Sequence, residues 1–95
     1  MSSKSFHLTI TTPDRVIFDG QANYLSVPGA AGYLGLLVDH APLITPLKPG
    51  VFQVRTPGVV LPLTFTTRFN GLFEFNHNQA SVLLESADSS VLNPV

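Results

Sequence analysis

The chain has no cysteine in its 95 residues, so a disulfide framework and a thiolate zinc site are both excluded, a usage compatible with the cytosol. Charge is scarce as well. Asp, Glu, Lys and Arg make up 12% of the sequence, where an average domain carries about 25%. Few charges keep the surface wet, so a sizeable part of it is expected to lie under a partner. The basic residues Lys4, Arg15, Lys48, Arg55 and Arg68 are scattered singly and the formal net charge is -1, which leaves no stripe for phosphates and argues against nucleic acid as a partner. No apolar run approaches the ~20 residues that span a bilayer, and the N-terminal stretch lacks the continuous apolar segment of a signal peptide. Helical periodicity is missing throughout.

What the sequence does have is alternation. Phe6, Leu8 and Ile10 oppose His7, Thr9 and Thr11, the period-two signature of a half-buried strand. Thr12-Pro13-Asp14-Arg15 reads as a turn, followed by a short strand over Val16–Phe18 that Asp19-Gly20 ends, and Gln21–Val27 alternates again. Val51–Arg55 is a strand cut by Thr56-Pro57-Gly58. Val59–Thr67 is rich in strand formers but carries Pro62, which places it at an edge or gives it a bulge. Asn70-Gly71 precedes Leu72–Phe75, Asn76–Gln79 is a hairpin connection, and Ala80–Glu85 is the last strand, with Val82 and Leu84 on one face. One domain of this length buries about 60–65% of its unfolded surface around a single core. Turns recurring at this rate predict an all-β sandwich or barrel.

The stretch Val27–Gly50 is the organising feature. Gly29, Gly32 and Gly35 recur every third residue, which suits positive φ or close backbone approach. Pro42, Pro46 and Pro49 push Ala41, Thr45 and Lys48 toward extended backbone, so no helix runs through the segment. Between them stand Tyr33, Leu34, Leu36, Leu37, Val38, Leu43 and Ile44, more apolar surface than a solvated loop carries. Part of it is expected to be core and part a docking face, with Tyr33 exposed to a partner at the loop tip and Tyr24 at least as suited to the core.

Chemistry is harder to place. Asp39-His40 is the one adjacent acid and imidazole, but neighbours in extended backbone point to opposite sides, so Asp39 is poorly placed to orient the ring. A turn or contact histidine is the reading preferred over a small hydrolase. His7, His40 and His77 match no metal-ligand spacing. The glycines lack the following helix and Lys-Ser/Thr pair of a phosphate loop. Glu74 and Glu85 sit singly on separate strands and are read as solvated. The residues therefore point to a β-sandwich without catalytic, metal or cofactor site that docks on another protein. The alternative of a different class is a free-standing sandwich that takes up a peptide at its edge near Pro62 or at the hydrophobic loop.

A family resemblance sharpens this. Phe18-x-Gly20, Val27-Pro28-Gly29, Gly32-x-Leu34-Gly35-Leu36-Leu37, His40-Ala41-Pro42-Leu43-Ile44-Thr45 and Leu47-Lys48-Pro49-Gly50, in that order, resemble the N-terminal domain of the epsilon subunit of F-type ATP synthases. Phe6-His7-Leu8 to Thr12-Pro13 is similar to its first strand, and Gly71–Phe75, Asn78 and Val82–Leu84 to its closing strands. The resemblance implies a flattened ten-stranded sandwich over residues 6–87, between a disordered start at 1–5 and a mobile tail at 88–95. It implies a non-catalytic central-stalk subunit, without cofactor or small-molecule substrate, held on the cytoplasmic side of the membrane through the complex. There it couples proton or sodium passage through the c-ring to ATP synthesis by way of the gamma subunit. Carried over by position, the contact residues toward gamma and the ring are Gly29, Gly32, Tyr33, Gly35, Asp39, His40, Ala41, Pro42, Leu43 and Ile44. The family often has an acidic residue where Tyr33 stands, so a stacking or apolar contact is expected there. Typical members continue as a helical hairpin that regulates ATP hydrolysis. With the sequence ending at Val95, the expectation is a naturally short form that lacks hairpin-mediated inhibition.

Overall fold

The computed structural model describes residues 4–86 and the backbone of Asn93–Pro94. The strands in chain order are β1 (Phe6–Thr12), β2 (Arg15–Ala22), β3 (Tyr24–Gly29), β4 (Gly32–Leu37), β5 (Leu43–Leu47), β6 (Gly50–Arg55), β7 (Leu63–Thr67), β8 (Gly71–Asn76), β9 (Gln79–Leu84) and the two-residue β10 (Asn93–Pro94). The expected all-β sandwich is what forms, and no helix occurs among the described residues. Nine strands of five to eight residues make its body, and the expected tenth is only the short β10. Residues 1–3 of the expected start and, apart from Asn93–Pro94, which pair with β7, the tail at 88–95 fall outside the described residues, while the Ser5 hydroxyl donates to Gln21 Oε1 at 2.8 Å.

Pairing runs β10-β7-β6-β3-β5-β8-β9-β1-β2, with β4 on the other side of β3. The ladder narrows to a single pair, Gly29 with Leu47, where β3 meets β5. There it folds over into two layers, β4-β3-β6-β7-β10 and β5-β8-β9-β1-β2. Lys48 and Pro49 make the corner: β6 and β5 run along the same edge of β3 with a register shift between them. Lys48 N–H donates to the Pro28 carbonyl at 3.0 Å, and Ala30 N–H to the Pro46 carbonyl at 2.9 Å. Gly50 fits because a Cβ there would lie 2.8 Å from Pro28 Cβ. All pairings are antiparallel except β1 with β9.

The alternation of the sequence fills the space between the layers. Phe6, Leu8 and Ile10 from β1 meet Phe73 and Phe75 from β8, Leu25 and Val27 from β3, and Phe52 and Val54 from β6, all nearly inaccessible. Phe52 and Phe65 are register partners and stack with centroids 4.6 Å apart. Phe6 meets Phe75 edge-on at 5.4 Å. Burying each such side chain contributes about 1.5–3 kcal/mol.

Two strand expectations are corrected. Asp19-Gly20 does not end a strand: β2 runs through it to Ala22, since Gly20 faces Leu8 in the ladder and Asp19 Oδ1 meets His7 Nε2 at 2.5 Å. Val59–Pro62 is not strand; β7 starts at Leu63, after the proline that has no N–H to give a ladder.

Candidate functional site

The glycine-rich stretch is a hairpin rather than a long loop. β3 and β4 are joined by Ala30 and Ala31 alone, with Gly29 opposite Gly32. A Cβ on Gly29 would lie 2.8 Å from the Gly32 carbonyl oxygen, and Gly32 has φ 137, a conformation side chains avoid. Tyr33 is therefore on β4, not at a loop tip. Its ring is exposed, yet its hydroxyl accepts the Val51 N–H at 3.0 Å and so ties β4 to β6. Gly35 lies under Tyr24, whose hydroxyl would be 3.3 Å from a Cβ at that position.

Beyond β4 the chain reverses. His40 N–H donates to the Leu37 carbonyl at 3.2 Å, with Asp39 at φ 66 in the left-handed region, the place a turn of this kind gives to Gly, Asn or Asp. The β8–β9 hairpin comes to meet it. Its two loop residues, His77 and Asn78, have φ 49 and 59, the paired left-handed backbone of a type I′ turn. The Asp39 N–H donates to Asn78 Oδ1 at 2.7 Å, and Asn78 Nδ2 donates to Asp39 Oδ1 at 2.8 Å. This reciprocal clamp joins residues far apart in sequence and fixes the following His40-Ala41-Pro42. His40 Nδ1 lies 2.7 Å from the Ala41 carbonyl; since a carbonyl only accepts, Nδ1 carries the proton of that bond. The ring rests edge-on against Phe75 at 5.7 Å. A surface hollow of about 330 Å³ lies among Asp39, His40, Ala41, Pro42, His77 and Asn78.

The acid and the imidazole of the lip are not coupled to each other. Asp39 spends its carboxylate on Asn78 and His40 its Nδ1 on a main-chain carbonyl, so no dyad forms. His40 and His77 share the hollow, while His7 is held by Asp19. Among the described residues no three His, Cys, Asp or Glu side chains come together as metal ligands.

The outer face of the second layer adds a feature absent from the expected site. Across β5, β8, β9, β1 and β2 the register places Pro46, Leu72, Leu83, Thr11 and Val16 in one row. Leu72, Leu83 and Val16 are exposed, as is Ile44 beside Pro46. An apolar band thus crosses a sheet face that is polar toward the other end, where Asn76, Gln79 and His7 align.

A family model described as ATP synthase, Delta/Epsilon chain, beta-sandwich domain matches residues 5–90. The chain belongs to this family. It is 37% identical over 84 residues to the ATP synthase epsilon chain of Gloeobacter violaceus, covering 88% of this chain and 61% of that one. It is 36% identical over 88 residues to the ATP synthase epsilon chain of Pelotomaculum thermopropionicum, covering 93% and 63%. The chain therefore spans about three-fifths of the length of these relatives. A chain in the Euglena gracilis mitochondrial ATP synthase structure, OSCP/F1/c-ring in rotational state 1, superposes with a TM-score of 0.77 at 18% identity, over 99% of this chain and 56% of that one, which supports the fold.

Within this delta/epsilon sandwich the contact positions inferred from resemblance divide. Asp39, His40, Ala41 and Pro42 form the exposed lip of the clamp. Gly32, Tyr33, Leu43 and Ile44 border a second hollow of about 290 Å³ between the hairpin and β5. Gly35 is exposed on β4. Gly29 is buried under the hairpin turn and lines the same hollow as Tyr33 and Ile44. Asn78 and the Leu72, Leu83, Val16 row were missed. The two leucines stand on the outward phase of strands whose inward phase is apolar too, and alternation alone does not set them apart.

Proposed function

We propose that this chain is a non-catalytic rotor subunit of an F-type ATP synthase, seated on the gamma subunit and the c-ring at the cytoplasmic side of the membrane, where it couples proton or sodium translocation to ATP synthesis. The observation that carries this is family membership together with a rim held by hydrogen bonds, whose one charged side chain, Asp39, is tied to Asn78. Gly32–Ile44 presents backbone and apolar side chains whose positions are fixed by hydrogen bonds to other strands. A part that transmits torque has to hold its shape under load, and a two-layer sheet with a clamped lip meets that need. The apolar band of Leu72, Leu83 and Val16 supports a broad protein contact on the adjoining face. The hollow at the lip is open, and its acid and imidazole are spent on hydrogen bonds to Asn78 and a main-chain carbonyl, which favours docking over turnover.

The test is to mix the 95-residue chain with the cognate gamma subunit and c-ring and follow the complex by gel filtration. Co-elution is the expected result, weakened by His40→Ala while folding stays close to wild type. Separate elution under conditions where the remaining subunits assemble would overturn the assignment. Binding of a free peptide by a monomer that ignores both partners would favour the recruiting sandwich instead.

A further inference from the structure

Where the sheet folds into two layers, one backbone donor loses its ladder partner. β6 pairs with β3 in a register that sets Tyr24 against Arg55 and Ser26 against Gln53. Two residues further on, that register would set Pro28 against Val51, with the Val51 N–H on the Pro28 carbonyl. β5 meets β3 in a different register, Gly29 against Leu47, and the Pro28 carbonyl goes to the Lys48 N–H at 3.0 Å instead. The Val51 N–H is taken by the Tyr33 hydroxyl, also at 3.0 Å. Tyr33 is the register partner of Pro28 on the far side of β3, so its side chain crosses the proline to reach β6. Gly50 leaves the space for it, since a Cβ there would lie 2.7 Å from the Tyr33 hydroxyl oxygen. The other tyrosine, Tyr24, turns its hydroxyl toward Gly35 on β4.

We propose that Tyr33 is a positioning residue, a latch that stands in for the missing ladder acceptor and fixes the end of the β3–β4 hairpin at the seam between the layers. Beyond Ser26 the hairpin leaves the β6 ladder. It is held to β5 by the Gly29–Leu47 pair and by the N–H groups of Lys48 and Ala30, and the Tyr33 hydroxyl ties it back to β6 on the other flank of the corner at Lys48–Pro49. With both flanks fastened, the hairpin cannot tilt about the single Gly29–Leu47 pair. That tilt sets the width of the 290 Å³ hollow, whose walls come from both layers: Gly32 and Leu34 on β4 in the first, Leu43 and Ile44 on β5 in the second. Tyr33 is 58% exposed, yet its oxygen is used inside the chain. The face of the ring is what it offers outward, and the hydroxyl shapes the hollow beside it. The latch is a property of the free chain, while the use of this hollow in docking rests on the rotor reading.

Amide hydrogen exchange by NMR on the 95-residue chain, wild type against Tyr33→Phe, tests this, because phenylalanine keeps the ring and removes the acceptor. The Val51 amide is expected to exchange about two- to tenfold faster, the worth of one hydrogen bond. The Lys48 and Ala30 amides, which hold the hairpin to β5, should quicken with it, while the Asp39 amide in the distant clamp keeps its rate. Tyr24→Phe removes the other phenol and should leave every one of these rates at the wild-type value. An unchanged Val51 rate in Tyr33→Phe, or the same change in Tyr24→Phe, would overturn the latch. A faster Val51 with Lys48 and Ala30 unmoved would overturn its positioning role and leave a local hydrogen bond. Co-elution with gamma and the c-ring is scored separately, at a urea midpoint close to wild type. Tyr33→Phe is expected to weaken it, and full co-elution from a loosened seam would overturn the link to docking. If the wild-type chain itself elutes apart from both partners, the rotor reading fails and the exchange rates still decide the latch.

Discussion

The clamped lip at Asp39–Pro42 and the β6–β7 connection at Thr56–Pro62 are both exposed, and both are shaped by glycine-like backbone and proline. They differ in what fixes them. The connection starts well, with Pro57-Gly58 in a tight turn where Val59 N–H donates to the Thr56 carbonyl at 3.2 Å and Gly58 has φ 76. After that, Val59, Val60 and Leu61 stand in solvent, Val60 at 89% exposure. The lip has the opposite character: two left-handed turns from distant parts of the chain lock together, and a histidine ring lies on a core phenylalanine. Surface that is held in shape can be recognised by a rigid partner, whereas apolar surface alone only attracts. This is why the proposed function gives the docking role to the lip and not to the more hydrophobic connection.

The comparison can be broken most forcefully from beneath. Phe75 touches both Phe6 and His40, and Phe75→Ala is expected to cost about 3–5 kcal/mol, read as a lower urea midpoint. If the lip depends on the core, the Asp39 amide should lose exchange protection in that variant more than the Val59 amide does. Equal loss would mean that the clamp is independent of Phe75. Next in size is the clamp itself. Asn78→Ala removes both hydrogen bonds to Asp39 and leaves a side chain at φ 59, for an expected loss of about 1–3 kcal/mol. Asn78→Gly relieves the backbone strain but not the lost bonds, so recovery in the glycine variant measures how much of the loss is conformational. Val60→Lys should be nearly silent, within about 0.5 kcal/mol, and should leave co-elution with gamma and the ring unchanged. A loss of assembly there would move the docking site to the β6–β7 connection.

Much of this was legible because strands with one buried face write their pattern directly. Phe6, Leu8 and Ile10 declared β1, and Pro57-Gly58 and Asn76–Gln79 declared their turns. Asp19-Gly20 misleads because turn chemistry carries no sign of the partner strand: His7 and Leu8 across the ladder keep those residues extended. Val59–Val60 misled in the other sense, since strand propensity does not supply a partner for the backbone. The candidate lip was visible as a stretch, through its glycines, prolines and His40, but the clamp was not. Asp39 and Asn78 are 39 positions apart, and only the fold of the ladder at β3 and β5 brings their turns together. The Leu72–Leu83 band is legible only once register is known, because cross-strand neighbours are not a property of either strand alone.

A third turn, Pro13-Asp14 between β1 and β2, tests how small a lock can be. Thr12 Oγ1 donates to Asp14 Oδ1 at 2.6 Å. That hydroxyl first, with help from the Asp14 backbone N–H and the Arg15 charge, holds the Asp14 carboxyl below its ordinary 3.8. A carboxylate lowered in the folded state stabilises the fold fully above its unfolded pKa, and the contribution fades as pH falls through the folded value. Asp14 is fully open to solvent, so screening by water makes this the smallest of the effects. Asp14→Ala should therefore lower the urea midpoint slightly at pH 7, and the gap to wild type should close as pH drops below 3.8. Thr12→Val, which keeps the shape but not the donor, should close the same gap over the same range if the hydroxyl is the cause. A gap that persists undiminished in acid would assign the effect of Asp14 to turn conformation, and the side-chain lock would then be a property of the Asp39–Asn78 lip that this turn does not share.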